Sequence, residues 1–429
     1  MTKYNFPVTG LDIGSAKTTI CVGNYDHLNQ VEIYAAAMVK THGMDRGIVT
    51  NPGEVARCIE EVVKKVEQKL KVKFSSGPKS YQGKKILKIN EVYTTVNGEH
   101  ILGNNSKGML NLSNRPVEIT RKDTQMAIDS VKFLTTTIDR EILHALAQEY
   151  IIDGYKRIKD PIGSYGSRLG VNLHILSAQT SFMKSVIKVI NRAGLDVEDC
   201  VFSGLATSMS TLTESDKQLG IILVEVGAGS INILFFKDGR LQHTSVISFG
   251  GNDITEKIME KFSIDFAQAE QLKMQYKSSN NHCLIKDDQL DKIIIKKSAT
   301  VYESITHKQL TSVIDQQIEK MLELLKKDLE LGGIIARANC GIVICGGISF
   351  MDGIIEKVEN YLGIPVNLGI LRGFVSSFSG LSNMFYATGI GLVKYALEQN
   401  SQPLAHNSLG NGFMNRLVSR AKSVYDEYF

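Results

Sequence analysis

The sequence predicts an α/β protein of two related lobes, with an α+β insertion interrupting the first lobe. Three glycine-bearing stretches predict it. The first is Gly220–Gly239, GIILVEVGAGSINILFFKDG, in which the β-branched run Ile221–Val224 fits a strand buried on both faces. Gly227-Ala228-Gly229-Ser230 then reverses the chain, and its small side chains leave nothing to keep a phosphate from the backbone N–H groups. Ile231–Phe236 returns as a second strand, and Lys237-Asp238-Gly239 turns again. Glu225, two positions before the glycine tip, is placed to hold a hydrated Mg²⁺ beside such phosphates.

Val8–Gly23, VTGLDIGSAKTTICVG, repeats the grammar: Asp12, a small-residue tip at Gly14-Ser15-Ala16, and Thr18–Val22 as the return strand. Asp12 precedes Gly14 by two positions, as Glu225 precedes Gly227, and Lys17 sits where an ammonium reaches phosphate oxygens. Glycine at one tight turn serves geometry in any β protein. The same turn at the same offset from an acid, twice in one chain, points to two lobes sharing a nucleotide. The third stretch, Gly341–Gly347 (GIVICGG), is an apolar strand ending in a double glycine. Gly346, Gly347 and Ile348 fit a wall against an adenosine, and Gly250-Gly251 joins the phosphate-side candidates. ATP and Mg²⁺ are the expected cofactors.

Composition leaves this frame open and closes others. The chain has 429 residues, 43% hydrophobic and 22% charged, ordinary for a globular protein with more than one core. A net charge of +4 without a long Lys/Arg run gives no footprint for nucleic acid. The six cysteines are scattered, with no CxxC pair, which suits a reducing compartment. Met1–Phe6 carries no signal peptide, and no apolar run approaches a bilayer span, so a cytoplasmic location is expected.

Taken in order, Val31–Val39 reads as a strand after the first hairpin. Asn51-Pro52-Gly53-Glu54 opens a helix to about Leu70, with Asn51 as cap and Glu54 as its reciprocal partner. Ser75–Gly83 reads as a polar loop. From Val92 to about Gly170 the character changes: a helix opens at Thr120 with Asp123 three positions on, followed by strand and loop pieces. Ser181–Ala193 reads as a helix closed by Gly194, and Val201–Leu212 as a small-residue helix. From Asp253 the chain turns helical; Thr306 and Gln309 form a capping box for Leu310–Leu331, whose Ile314, Ile318, Met321, Leu322 and Leu325 make one buried stripe. A helix follows Asp352 to about Leu362, and Gly389–Leu397 forms a last one. Glu398–Gly412 is linker-like, rich in Asn, Gln, Ser and Gly.

On a wheel of about 100° per residue, Phe413, Met414, Leu417, Val418, Ala421, Val424, Tyr425, Tyr428 and Phe429 fall in one arc of roughly 160°. Arg416, Arg420 and Lys422 lie on the other face, before the acids Asp426 and Glu427, which opposes the helix dipole. A polar linker, clean segregation and aromatics at both ends suit an interfacial membrane helix on anionic lipid, against the alternative of a helix docked on its own domain. Shallow insertion of one such helix binds marginally, so several copies on one assembly are expected.

The two hairpins plus GIVICGG resemble the phosphate and adenosine motifs of the actin/Hsp70/sugar-kinase ATPase superfamily. Within it, EHILGNNSKGMLNL, LHALAQEYIIDG, KDPIGSYGSRLGVNLHIL and NRAGLDVEDCVFSGLAT, together with the linker and amphipathic tail, resemble the FtsA family of bacterial cell-division proteins. That resemblance implies an actin-like fold. Its subdomain 1A would take 1–85, 171–205 and 366–397, and an inserted SHS2-type subdomain 1C would take 86–170. Subdomain 2A would take 206–252 and 337–365, 2B 253–336, the linker 398–412, and the membrane helix 413–429. It further implies ATP between the lobes, head-to-tail filaments under the cytoplasmic membrane, later division proteins as partners, and the tail peptide of the tubulin-like FtsZ docked on subdomain 2B.

This chain departs from the superfamily's second hairpin, which reads Asp-Ile-Gly-Gly-Gly-Thr with a further Asp beyond. Here stand Glu225, Ala228, Ser230 and Asn232. A longer carboxylate displaces metal-bound water, and misplacement on that scale costs roughly a hundredfold in rate. Near Phe202-Ser203-Gly204-Leu205 the superfamily's hydrolases place a Gln or Glu, and nothing longer than Ser203 is evident. Nucleotide binding with slow or absent hydrolysis is therefore expected, with Asp12 and Glu225 positioning any metal and water. Two other readings stand beside this one, a small-molecule kinase of the superfamily and a PilM-like pilus-assembly module. A chaperone is disfavoured for want of a separate substrate-binding domain.

Overall fold

Two sheets of one design form the body of the molecule. A computed structural model describes residues 7–76, 88–135, 137–276, 292–297, 301–376 and 384–401. The first sheet runs Asp196–Phe202, Glu91–Val96, Val8–Ile13, Lys17–Tyr25, Val31–Lys40, Val375–Ser376. The second runs Val366–Leu368, Ile342–Gly346, Ile221–Val226, Ile231–Lys237, Arg240–Ile247. In each, two parallel strands flank the hairpin's first strand on one side, and the antiparallel return lies on the other. The likeness extends to register. Asp12 pairs with Thr19 and Glu225 with Asn232. Each return strand then meets its outer neighbour with an irregularity, between Val22 and Gly23 and between Phe235 and Phe236, ten positions after the acid.

The sheets are covered by helices, which is why their central strands are apolar on both faces. Pro52–Ser76 lays Val55, Ile59, Val62 and Val66 on the first sheet beside Val186 and Ile190 of Thr180–Arg192. His307–Leu331 lays its Ile314, Ile318, Met321, Leu322 and Leu325 stripe on the second. The capping boxes at Thr120/Asp123 and Thr306/Gln309 close as their spacing predicts. At Asn51 only half does. Its side chain accepts from the Gly53 and Glu54 N–H groups, but its own N–H donates to the Gly43 carbonyl instead of to Glu54.

The insertion has its own sheet, in the order Lys156–Ile158, Arg140–Ile152, Arg168–Gln179, Leu102–Asn111. Helix Arg121–Thr135 packs Ala127, Ile128 and Val131 against its Leu169, Val171, Leu173 and Ile175. Its limits differ from the expected 86–170. Glu91–Val96 pairs on both sides within the first large sheet, and the single long strand Arg168–Gln179 carries the insertion's sheet beyond 170. Val366–Leu368, expected in the first lobe, hydrogen-bonds to Ile342–Gly346 in the second. Val201 and Phe202, expected to be helical, end the strand Asp196–Phe202, and the helix is Ser203–Thr211. The last helix is Ala387–Ser401, so it takes the first turn of the expected linker. The rest of that linker, the amphipathic stretch 413–429 and most of the Ser75–Gly83 loop lie outside the described residues.

Ser203–Thr211 and Ala387–Ser401 cross between the lobes in backbone contact. A Cβ on Gly391 would lie 1.8 Å from the Ala206 carbonyl oxygen, so only glycine fits there. No helix among the described residues is long and apolar enough to cross a membrane.

Candidate functional site

The two hairpin tips turn in the same way. Gly14 N–H donates to the Lys17 carbonyl at 3.0 Å, and Gly227 N–H to the Ser230 carbonyl at 2.9 Å. Both tips border one cavity of about 620 Å³ between the lobes, which brings together Gly14, Ser15, Ala16 and Lys17 with Gly227, Ala228, Gly229 and Ser230. Asp12 and Glu225 border it beneath the tips, and Gly251, Gly346, Gly347 and Ile348 complete its wall. Gly346 sits at φ +93°, where a Cβ would strike the Val226 carbonyl at 2.1 Å, whereas a Cβ on Gly347 would meet nothing within 4 Å. The wall is therefore smooth where a flat base would lie against it. Gly250 is not on the cavity. Its N–H donates to Asp253 at 2.7 Å, and its bare Cα lets helix Gly251–Phe262 start hard against Ala228. Gly251 and Asn252 then donate their N–H groups to the Gly227 and Ala228 carbonyls.

The two acids live differently. Asp12 is buried, and among the described residues it takes one hydrogen bond, from the Thr95 hydroxyl at 2.8 Å. Burial raises its pKa to about 6, against the opposing pull of Lys17 and Thr95. Glu225 takes four. The hydroxyls of Thr207 (2.6 Å) and Thr388 (3.2 Å) donate to Oε1, and the Ser203 hydroxyl (3.3 Å) and Asn232 amide (2.8 Å) to Oε2. Lys17 donates to the Phe385 carbonyl and lies 4.8 Å over that ring, and burial lowers its pKa.

Sequence reasoning missed several lining residues. Lys273 pairs with Glu270 at 2.7 Å and donates to the Gly251 carbonyl and the Thr255 hydroxyl, burial lowering its pKa. Their i,i+3 spacing was visible but is shared by many surface pairs. Asn97, whose amide donates to the Ser230 hydroxyl at 3.2 Å, and Thr207 and Thr388 carried no signal at all.

The donor set fits a nucleotide: small-residue tips bordering the cavity for phosphates, a smooth wall for a base, and a cation and a carboxylate in Lys273 and Glu270 for hydroxyls. Among the described residues no three His, Cys, Asp or Glu converge to hold a metal ion.

Comparison with known proteins bears on this cleft. Residues 98–177 match the family described as "SHS2 domain inserted in FTSA", and residues 222–391 the family described as "Cell division protein FtsA". The cell-division protein FtsA of Pseudomonas aeruginosa is 27% identical over 95% of this chain and 93% of its own length. That of Buchnera aphidicola subsp. Baizongia pistaciae is 30% identical over 84% of this chain and 83% of its own length. Among solved structures, a PilM–PilN type IV pilus biogenesis complex superposes with a TM-score of 0.59 at 14% identity, covering 92% of this chain and 99% of that one. MreB5 of Spiroplasma citri bound to ADP superposes with a TM-score of 0.51 at 12% identity, covering 95% and 99%. The fold is actin-like, with an SHS2-type insertion.

Proposed function

The chain belongs to the FtsA family of cell-division proteins, and from that premise we propose that it is an ATP-binding filament former that tethers FtsZ to the cytoplasmic face of the membrane. The observation that carries the nucleotide part is the meeting of two like glycine tips across one cleft, with Gly346-Gly347 as a third wall. Backbone N–H groups of both tips would take the phosphates, Lys273 and Glu270 the ribose hydroxyls, and Asp12 would face a hydrated Mg²⁺, which neutralises phosphate charge. The departures at Glu225, Ala228, Ser230 and Asn232 favour binding with little or no hydrolysis. ATP then serves to hold the lobes together for head-to-tail assembly.

The polar–apolar segregation of 413–429 supports a membrane helix on anionic lipid, and a filament multiplies its weak grip. The FtsZ tail peptide would dock on the helical subdomain 253–336, and later division proteins on the assembled filament. Co-sedimentation with anionic liposomes tests the tether, comparing the full chain with one ending at Gly410, with and without ATP. The full chain pelleting, more so with ATP, while the truncation stays in the supernatant is the expected result. Both remaining in solution would overturn the anchor and reopen the PilM-like and small-molecule-kinase readings, which have no use for such a helix.

A further inference from the structure

We infer that the two hairpins have divided their labour: while Asp12 faces the nucleotide-bound divalent cation proposed above, Glu225 is a bolt that fastens the second hairpin to both crossing helices. The cation half rests on the nucleotide reading above. The bolt half does not.

An ionised carboxylate offers about four lone-pair sites. At Glu225 each oxygen faces two protein donors, and the donors come from three elements. Ser203 and Thr207 stand on one crossing helix, Thr388 on the other, and Asn232 on the return strand of the hairpin. All four are buried, and they are cross-linked among themselves. Thr207 and Thr388 hydroxyls lie 3.0 Å apart, and the Asn232 amide also donates to the Ser203 hydroxyl at 3.0 Å. A hydrated cation approaching Glu225 would have to displace donors already bonded to both of its oxygens, and each broken hydrogen bond would have to be replaced.

Asp12 occupies the equivalent place in the first sheet, yet among the described residues accepts one hydrogen bond, at Oδ1. Its register partner Thr19 adds none; among the described residues the buried Thr19 hydroxyl has no partner. Position for position, Asn232 donates to its acid and Thr19 does not. The longer side chain at 225 is what reaches both Thr207 and Thr388, so the substitutions at 225 and 232 act as one device.

The test uses the full chain and reads two quantities, the unfolding midpoint without nucleotide and the ratio of ATP affinities in MgCl₂ and in EDTA by calorimetric titration. Glu225→Gln turns an amide N–H₂ toward two of the donors. It should lower the nucleotide-free midpoint on the order of 5 °C while leaving the Mg²⁺ ratio within about twofold. Asp12→Asn should cut that ratio by about tenfold or more without lowering the midpoint. Should Glu225→Gln fail to fold, Thr388→Val removes one donor and keeps the carboxylate; a lower midpoint with an unchanged Mg²⁺ ratio supports the bolt. A collapsed ratio with an unchanged midpoint in either Glu225→Gln or Thr388→Val overturns it. If the unmodified chain binds no ATP in either buffer, the nucleotide reading falls and takes the cation half with it, while the midpoints still decide the bolt.

Discussion

Asp12 carries its charge at neutral pH in a place that opposes it. Burial lifts its pKa from 3.8 to about 6, more than Lys17 and the Thr95 hydroxyl offset. Between those values the folded chain holds a proton that the unfolded chain has released. Stability from this group is therefore highest below about 4, falls as pH rises toward 6, and stays reduced above it. The gap corresponds to on the order of 3 kcal/mol. Asp12→Asn keeps an acceptor for Thr95 and removes the charge, so its nucleotide-free unfolding midpoint should exceed that of the unmodified chain by several degrees at pH 7.5. The advantage should shrink as melts are repeated toward pH 5. Equal midpoints across that range would mean the carboxylate is hydrated. Both acids were legible in the sequence because each stands two residues before its glycine tip. The donors that separate their roles were not, since Ser203, Thr207 and Thr388 reach Glu225 from helices elsewhere in the chain.

Among the elements, one of the two smallest sheets reaches from one lobe to the other. Met44–Asp45 and Ile48–Val49 pair across a two-residue tip with Arg46 at φ +45° and Gly47 at φ +81°. Gly47 N–H donates to the Ser15 hydroxyl of its own lobe, and Arg46 crosses to the other. Its guanidinium pairs with Asp253 at 2.9 Å and donates to the Ser248 carbonyl at 3.2 Å, while a Cβ on Gly229 would come within 2.7 Å of its Cα. The pair is half-exposed on the Arg46 side, so its direct contribution to stability is about 1 kcal/mol at most. Its position matters more. Arg46→Ala should leave the unfolding midpoint within about 2 °C yet speed amide exchange at 44–49 and 227–230 severalfold in the nucleotide-free chain. Unchanged exchange there would show that the latch does not hold the second tip. No reading of the sequence found this element, because two-residue strands have no period. The long elements were readable for the opposite reason: the stripe from Ile314 to Leu325 repeats over several turns, and a central strand such as Ile221–Val226 is rich in β-branched residues. Where readings slip, as at Val201-Phe202, the helical reading runs through the Ser203-Gly204 pair that marks the strand–helix junction.

At the scale of the whole molecule, the insertion belongs to the first lobe by chain and to the second by contact. Arg240–Ile247 is the outer strand of the second sheet, and the insertion covers it, as an edge strand requires. Asn105 and Gln148 amides donate to the Gln242 and Leu241 carbonyls, both at 3.1 Å, and Arg240 donates back to the Ala147 and Lys159 carbonyls. The change of character after Val92 announced an insertion, but these scattered polar residues gave no sign of where it docks. His174 lies buried in the seam, its Nδ1 2.6 Å from Asn105 Oδ1 and its Nε2 3.0 Å from the Thr244 hydroxyl. A neutral ring satisfies both, donating to one and accepting from the other. Burial, with the His243 charge nearby, pushes its pKa down to about 4. Unfolded histidine takes a proton near 6.5, so the stability His174 lends is whole above that value and is lost as pH falls toward 4. Any rotation of the lobes must shear this seam, and acid should loosen it first. Amide exchange over 102–111 and 240–247, corrected for its intrinsic pH dependence, should rise between pH 7.5 and pH 5 while that of helix residues 314–325 holds. His174→Gln, which has an uncharged donor and acceptor, should flatten the rise. If the rise persists in that variant, the cause lies with His100, stacked on Phe182 and also held near 4. The insertion would then be a passenger of the first lobe, not a strap across both.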